Sequence, residues 1–252
     1  LVRQRYQKYS RCLLFLNSVQ ADHTDRGLRT VRGPTSRSVF MKIALIGASG
    51  FIGSAIRQEA LARGHQVTAL VSNPARLQRA DHLEIVATDA LDSDRLAAQL
   101  RGHDIVISAF SGHAQGDVYG YYLKGIGSIV AAARNAAVAR LLVVGGAGSL
   151  EIAPGVQLLD TPAFPAQWKA TAEGARAALH LLRDVSDLDW TMLSPPPMIH
   201  PGTRSGHYRT GTDAVIPGAS GPADISVQDY AVAMLDEAET PRHRRQRFTV
   251  AN

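Results

Sequence analysis

Met41-Lys42-Ile43-Ala44-Leu45-Ile46-Gly47-Ala48-Ser49-Gly50-Phe51-Ile52-Gly53 is the stretch that decides the fold. Lys42 to Ile46 is a short apolar run ended by Gly47, the pattern of a strand buried on both faces. Beyond the glycines, Ile52, Ile56, Ala60 and Leu61 recur at helical spacing until Gly64. Strand, glycine-rich turn and helix in that order make a phosphate cradle. Gly47 serves the tight turn, Gly50 lets a diphosphate approach the backbone, and Gly53 lets the helix pack closely on the sheet. Phe51 and Ile52 begin the helix, whose free N–H groups and positive dipole end favour an anion by roughly 0.3–1 kcal/mol. The spacing is G-x-x-G-x-x-G. It is neither the G-x-G-x-x-G of many dehydrogenases nor a P-loop, which would close with Gly-Lys-Ser/Thr.

Outward from this stretch, strands are expected at Gln66–Val71, Glu84–Ala87, Asp104–Ser108, Leu141–Val144, Asp189–Leu193 and Arg247–Val250. Helical patterns fall at 74–79, 92–100, 117–137, 168–183 and 226–239, the second capped by Asp92 or Ser93. Near-continuous apolar strands alternating with helices predict an α/β fold, a Rossmann-type doubly wound parallel sheet. The pattern spans 41–252 without a linker, so a single domain is expected there. Three stretches lack periodicity: 111–116, 146–166 and 195–224. The first two follow strands directly, at the carboxyl ends where open α/β sheets bind ligands. Loops longer than about 12–15 residues are usually functional or disordered, and substrate loops are expected here.

The end of the second strand selects the dinucleotide. An NAD site places Asp or Glu there to hold the ribose 2′-hydroxyl. This chain reads Val71-Ser72-Asn73-Pro74-Ala75-Arg76, without an acid. Ser72, Asn73 and Arg76 can donate hydrogen bonds to a 2′-phosphate, so NADP(H) is preferred and NAD(H) remains an alternative.

The 252 residues carry 27 Lys+Arg against 22 Asp+Glu, a formal charge of +5. Taken whole, that excess suggests an anionic macromolecular partner. Its distribution does not. Residues 1–40 hold eight basic and two acidic side chains, a net of +6, and residues 41–252 a net of −1. We therefore expect no nucleic-acid partner and a small-molecule substrate. No run of about 18 apolar residues is present, so no membrane-spanning helix and no membrane partner are expected. The single cysteine, Cys12, excludes an internal disulfide framework and a Cys-based zinc site, and no metal site is expected. Residues 1–40 have one short apolar run, Cys12 to Leu16, shorter than a signal peptide asks for. We expect Met41 to be the natural start and 1–40 to be a basic extension, disordered or not native. A cytoplasmic location and a monomer or homodimer complete the expectation.

Several pieces together resemble the atypical short-chain dehydrogenase/reductases with an NAD(P)H-binding domain, including NmrA-like proteins and the flavin reductase/biliverdin-IXβ reductase type. They are Met41 to Gly53, Ser72 to Leu77, Asp104 to Ser111, Arg140 to Leu150, Asp189 to Pro195 and Ile225 to Leu235. The resemblance covers 41–252. It implies adenine near Asp89 and Ala90, and ribose and nicotinamide around Ala109, Phe110, Gly145 and Gly146. It also implies that the stretch beginning at Pro195 flanks the nicotinamide.

One family element is missing. Typical short-chain dehydrogenases and sugar epimerases use Tyr-x-x-x-Lys, in which the lysine lowers the tyrosine pKa for acid/base work. None of the seven tyrosines has a lysine four residues on. Ordinary alcohol oxidation and sugar epimerisation are therefore disfavoured. Hydride transfer to a flavin, quinone or similar conjugated acceptor is not, because the cofactor carries that chemistry. Ser111, His113 and Ser149 are the polar candidates near the nicotinamide, and Tyr119, Tyr122, Trp168 and Lys169 are candidates for the pocket wall. The competing expectation is a non-catalytic NADP(H)-binding regulator or redox sensor of the NmrA-like kind.

Overall fold

The computed structural model describes residues 29–32, 40–112, 116–219 and 221–252. Apart from 29–32 and Phe40, the N-terminal extension lies outside the described residues, as does His113. The main sheet contains β1 (Arg29–Arg32), β2 (Lys42–Ile46), β3 (Gln66–Val71), β4 (Leu83–Ala87), β5 (Ile105–Ser108), β6 (Leu141–Val144), β7 (Trp190–Ser194), β8 (His207–Gly211) and β9 (Gln246–Ala251). Its helices are α1 (Phe51–Ala62), α2 (Ser93–Leu100), α3 (Val118–Asn135), α4 (Ala166–Arg183) and α5 (Val227–Glu239).

The strand order is β4-β3-β2-β5-β6-β7-β9-β8-β1. The first seven run parallel, whereas β8 is antiparallel to β9 and β1 antiparallel to β8. This is the doubly wound Rossmann-type sheet read from the sequence, extended at one edge by two antiparallel strands. The stretch 195–224 hides β8 because only Tyr208 of its five residues is buried, leaving no apolar run to read. The same stretch also holds Met198–His200, paired in parallel with Asp224–Ser226. The expected helix at 74–79 is a single tight turn, Pro74–Arg76, with the Asn73 side chain capping it.

Alternation along β2 explains the layering. Ile43 and Leu45 join the core beneath α1 and α5, with Ile56, Tyr230, Met234 and Phe248. Ala44 and Ile46 face the other core, with Leu96, Ile129, Leu179 and Trp190 from the side of α2, α3 and α4. Burying each large side chain contributes about 1.5–3 kcal/mol. Because both faces are covered, the ligand-accessible surface is left at the strand ends. The strand order reverses between β2 and β5, and that reversal opens a crevice at their carboxyl ends.

Candidate active site

The turn after β2 is built as its glycines require. Gly47 has φ +77°, and a Cβ there would lie 2.5 Å from the carbonyl oxygen of Ala109. A Cβ at Gly53 would collide with the carbonyl of Gly47, so the start of α1 can approach the turn only as glycine. Gly50 is different. A Cβ there would meet only the Gly47 oxygen, at 3.5 Å, an ordinary contact. The protein alone does not require glycine at 50; the open space is what a diphosphate would fill.

The start of α1 points the same way. Its cap residue, Gly50, supplies no side-chain hydrogen bond, and the first turn has no acid. Helices α2, α3 and α5 are capped by Asp92, Asp117 and Ser226. The N–H groups opening α1 are left for an anion. These residues fit a dinucleotide diphosphate.

A cavity of about 390 Å³ opens from this turn along the strand ends, within the usual size of small-molecule sites. Gly50, Phe51, Ile52 and Gly53 line one part, and Ala109, Phe110 and Ser111 the next. Gly145 and Gly146 follow β6 and line it too. They pack tightly: a Cβ at Gly145 would lie 2.7 Å from Met192 Cγ, and one at Gly146 2.8 Å from Ala175 Cβ. The remaining wall is largely apolar, with Tyr122 from α3, Phe164 and Trp168 at the start of α4, and Pro197 and Met198 beyond β7. Phe110 stacks on Tyr122 with ring centroids 6.0 Å apart and planes 13° from parallel. Burial pushes the Tyr122 phenol well above the usual tyrosine range, so it remains a hydrogen-bond donor, here toward the Val144 carbonyl at 3.4 Å.

The other residues singled out from the sequence divide as follows. Ala48 is fully buried, and Ser49 belongs to the turn without lining the cavity. Ser72, Asn73 and Arg76 are exposed together at the end of β3. Asn73 accepts a hydrogen bond from Ala75 N, which leaves its amide N–H groups outward. Arg76 has no ion-pair partner among the described residues. Asp89 is exposed and accepts from Leu91 N at 2.9 Å, with Ala90 buried beside it. Pro195 is buried; Pro197 and Met198, rather than Pro195, reach the cavity.

Ser149 is not brought to the cavity. It is buried in the short turn Ala147–Ser149, and its hydroxyl accepts from Arg247 at 3.3 Å. The guanidinium of Arg247 holds this hydroxyl, expected near the nicotinamide, in the interior. Tyr119 and Lys169 likewise do not line the cavity. Sequence reading missed Arg247 itself. Its signal was a lone charged side chain in a final strand whose remaining residues are uncharged.

The chain belongs to the NAD(P)H-binding family, whose profile matches residues 47–241. It is 41% identical over 215 residues to the uncharacterized protein YwnB of Bacillus subtilis (strain 168), covering 84% of this chain and 99% of that one. Among solved structures, a provisionally named exported protein of Burkholderia pseudomallei is 45% identical, with a TM-score of 0.77 over 84% of this chain and 100% of that one. A provisionally named NADH-flavin reductase of Streptococcus pneumoniae TIGR4 is 34% identical, with a TM-score of 0.76 over 84% and 99%. Among the described residues no helix is long and apolar enough to cross a membrane, and no cluster of ligating side chains could hold a metal.

Proposed function

We propose that the protein is an NADP(H)-dependent oxidoreductase that passes hydride to a small conjugated acceptor, a flavin, quinone or similar molecule, without a Tyr-x-x-x-Lys pair. The observation that carries this reading is the continuity of one cavity from the glycine turn to an aromatic wall. A dinucleotide seated on Gly50–Gly53 and a flat molecule against Phe110, Tyr122 and Trp168 would share that space. When bound, the reduced nicotinamide supplies the hydride. The chain's part is to hold and orient. The turn and α1 hold the diphosphate, Gly145 and Gly146 let the end of β6 pack closely on Met192 and Ala175 beside the cavity, and the apolar wall excludes water. Ser111 lines the cavity and offers a hydroxyl to the acceptor.

The exposed trio Ser72, Asn73 and Arg76, with no acid at the end of β3, supports NADP(H) over NAD(H). The slightly acidic body supports a small-molecule substrate rather than nucleic acid, and a cytoplasmic monomer or homodimer is the accompanying proposal. A second reading rests on the missing dyad: a cofactor-binding regulator would need the cradle but no proton donor. Mixing the protein with NADPH and a panel of flavins and quinones separates the two. Acceptor-dependent loss of NADPH absorbance is expected. Tight NADPH binding with no turnover on any acceptor would favour the regulator.

A further inference from the structure

Two arginines of the cradle helix stand in opposite electrostatic situations. Arg63, which closes α1, is saturated: its guanidinium pairs with Glu59, Asp236 and Glu239. Arg57, in the middle of α1, is partly buried and pairs with none of them. Its Nε is buried without an acceptor, and no acid among the described residues forms an ion pair with it. Burial alone holds its pKa below the usual arginine range. Taking a cation out of water without an acceptor costs free energy that an arriving anion would offset.

The phase of the helix says where this guanidinium looks. Glu59 and Arg63 lie roughly 120–160° round the axis from Arg57. They mark the side of α5, where Arg63 meets Asp236, Glu239 and the Val232 carbonyl. Gly53 and Ala60 are roughly 40–60° away and face the sheet. A Cβ at Gly53 would enter the Gly47 carbonyl, and Ala60 is fully buried. Arg57 therefore occupies the flank of α1 turned away from α5, beside β3 and the segment that leaves it. Leu61, one turn further along that flank, and Leu77, next after Arg76, both pack against the core beneath α1. Side chains on a helix lean toward its N-terminus, so Arg57 points back toward the cradle. Gly53 lies about 6 Å up the axis, a rise that the arginine stem and guanidinium can cover.

Ser72, Asn73 and Arg76 stand in that segment, exposed at the end of β3. We propose that Arg57 is a second cation of the 2′-phosphate site, meeting the phosphate from α1 while Arg76 meets it from the segment after β3. The inference rests on the NADP(H) reading above and adds a specificity-determining residue that lies outside the strand end. A phosphate monoester carries about −1.5 to −2 charges near neutrality, so a single guanidinium leaves about one charge unmatched. Guanidiniums from two elements can each present a planar fork to it. NADH, with a 2′-hydroxyl, offers Arg57 no anion and leaves its cation as unmatched as before.

Two variants of the full chain test this by titration with NADPH and NADH, and with adenosine 2′,5′-bisphosphate and AMP as the matching half-ligands. Arg57→Leu removes the charge and keeps an apolar stem; Arg57→Lys keeps the charge without the fork. Arg57→Leu should weaken NADPH and the bisphosphate at least ~5-fold, with NADH and AMP within about twofold. Arg57→Lys should recover part of that loss. Combined with Arg76→Ala, Arg57→Leu should bring the NADPH and NADH affinities within about threefold of each other. The NADPH effect of Arg57→Leu should shrink less with salt than that of Arg76→Ala, because Arg57 is partly buried and Arg76 exposed.

Melting temperature separates recognition from packing. Arg57→Leu should melt at or above the wild-type temperature, since no ion pair is lost and a partly buried cation is removed. Equal losses for NADPH and NADH, with a lowered melting temperature, would overturn the inference and make Arg57 a packing residue of α1. A preference for NADPH that survives Arg57→Leu undiminished would overturn it while leaving the NADP(H) reading intact. A wild-type chain that binds NADPH and NADH equally would remove that reading and the inference together.

Discussion

Arg247, the second residue of the last strand, holds Ser149 from 98 residues away, donating to its hydroxyl at 3.3 Å and to its carbonyl at 3.4 Å. The same guanidinium donates from Nε to Asp213 Oδ1 at 2.9 Å and forms an ion pair with that carboxylate. Asp213 in turn accepts through its backbone carbonyl from Glu151 N at 2.8 Å. The turn that contributes Ala147 and Gly148 to the cavity is therefore tied to β9 and to the segment that follows β8. Arg247 is a positioning residue for that wall, and Ser149 is the means by which it acts.

Ser149→Ala should then leave the rate of hydride transfer within about twofold and lower stability by about 0.5–1.5 kcal/mol, the cost of one hydrogen bond. Arg247→Met should cost about 1–3 kcal/mol, since Asp213 is half exposed and can regain water. It should also raise KM for NADPH more than it lowers kcat. Thermal unfolding with steady-state kinetics checks both. A loss above about 100-fold in kcat for Ser149→Ala at unchanged stability would return that hydroxyl to the chemistry.

Gly50 and Gly53 should respond oppositely to the same methyl group. Gly53→Ala pushes a Cβ into the Gly47 carbonyl and should destabilise the fold by several kcal/mol, on the order of other steric core insertions. Gly50→Ala has room, so stability should change by less than about 0.5 kcal/mol. Its affinity for NADPH should nevertheless fall at least ~10-fold, because the methyl occupies the diphosphate's approach. Unfolding curves and NADPH titration measure the two effects separately. Undiminished binding by Gly50→Ala would mean that the turn is not the anion cradle.

Arg76→Ala should weaken NADPH binding about 10-fold while leaving NADH within about twofold, the difference being one charge-assisted contact to the 2′-phosphate. The NADPH effect should shrink as salt rises, since Arg76 is exposed. Equal losses for both cofactors would remove Arg76 from the recognition of that phosphate.

Acid should loosen the lower end of the sheet. Burial alone would raise the Glu237 pKa. Hydrogen bonds from the His243 side chain, the His243 backbone, Arg140 and the Arg242 backbone outweigh it and hold the carboxyl below its ordinary value. A carboxyl whose folded pKa is depressed stabilises fully above its unfolded value of about 4.3, and that contribution is lost as pH falls. Melting temperature should therefore drop below about pH 4.5. Glu237→Gln should lower stability at neutral pH and flatten this acid limb. An unchanged acid limb in the variant would assign the transition to other carboxylates, such as Glu59 or Asp229, whose pKa values are also lowered.

The central sheet was legible because its strands are buried on both faces. Ile43–Ile46, Ile105–Ile107 and Leu141–Val143 are continuous apolar runs in the sequence for that reason. The glycine turn was legible because Gly47 needs a positive φ and Gly53 a close approach of helix to turn, both local demands written into the spacing. The cavity wall was not. The stretch 146–166 is made of single turns and a two-strand pair, Glu151–Ala153 with Val156–Gln157, too short for any periodicity to register. Where Ser149 points is decided by Arg247, and nothing within ten residues of the serine announces that partner. Of the wall at α3 and the start of α4, only Tyr122 and Trp168 were among the residues the sequence pointed to; Phe164 lies in a stretch without periodicity and gave no such signal.

The anion cradle after β2 is made of peptide N–H groups, with Gly47, Ala48, Ser49, Gly50, Phe51, Ile52 and Gly53 contributing no acid or base. Such a receptor has no proton of its own to gain or lose near neutrality. On the NADP(H) reading proposed above, a pH dependence of cofactor capture is expected from the nucleotide itself. A 2′-phosphate changes charge near pH 6, so NADPH capture should slacken on acidification through that region while NADH capture stays level. The turn thus acts as a fixed electrostatic reference against which the ionisation of its own ligand can be read.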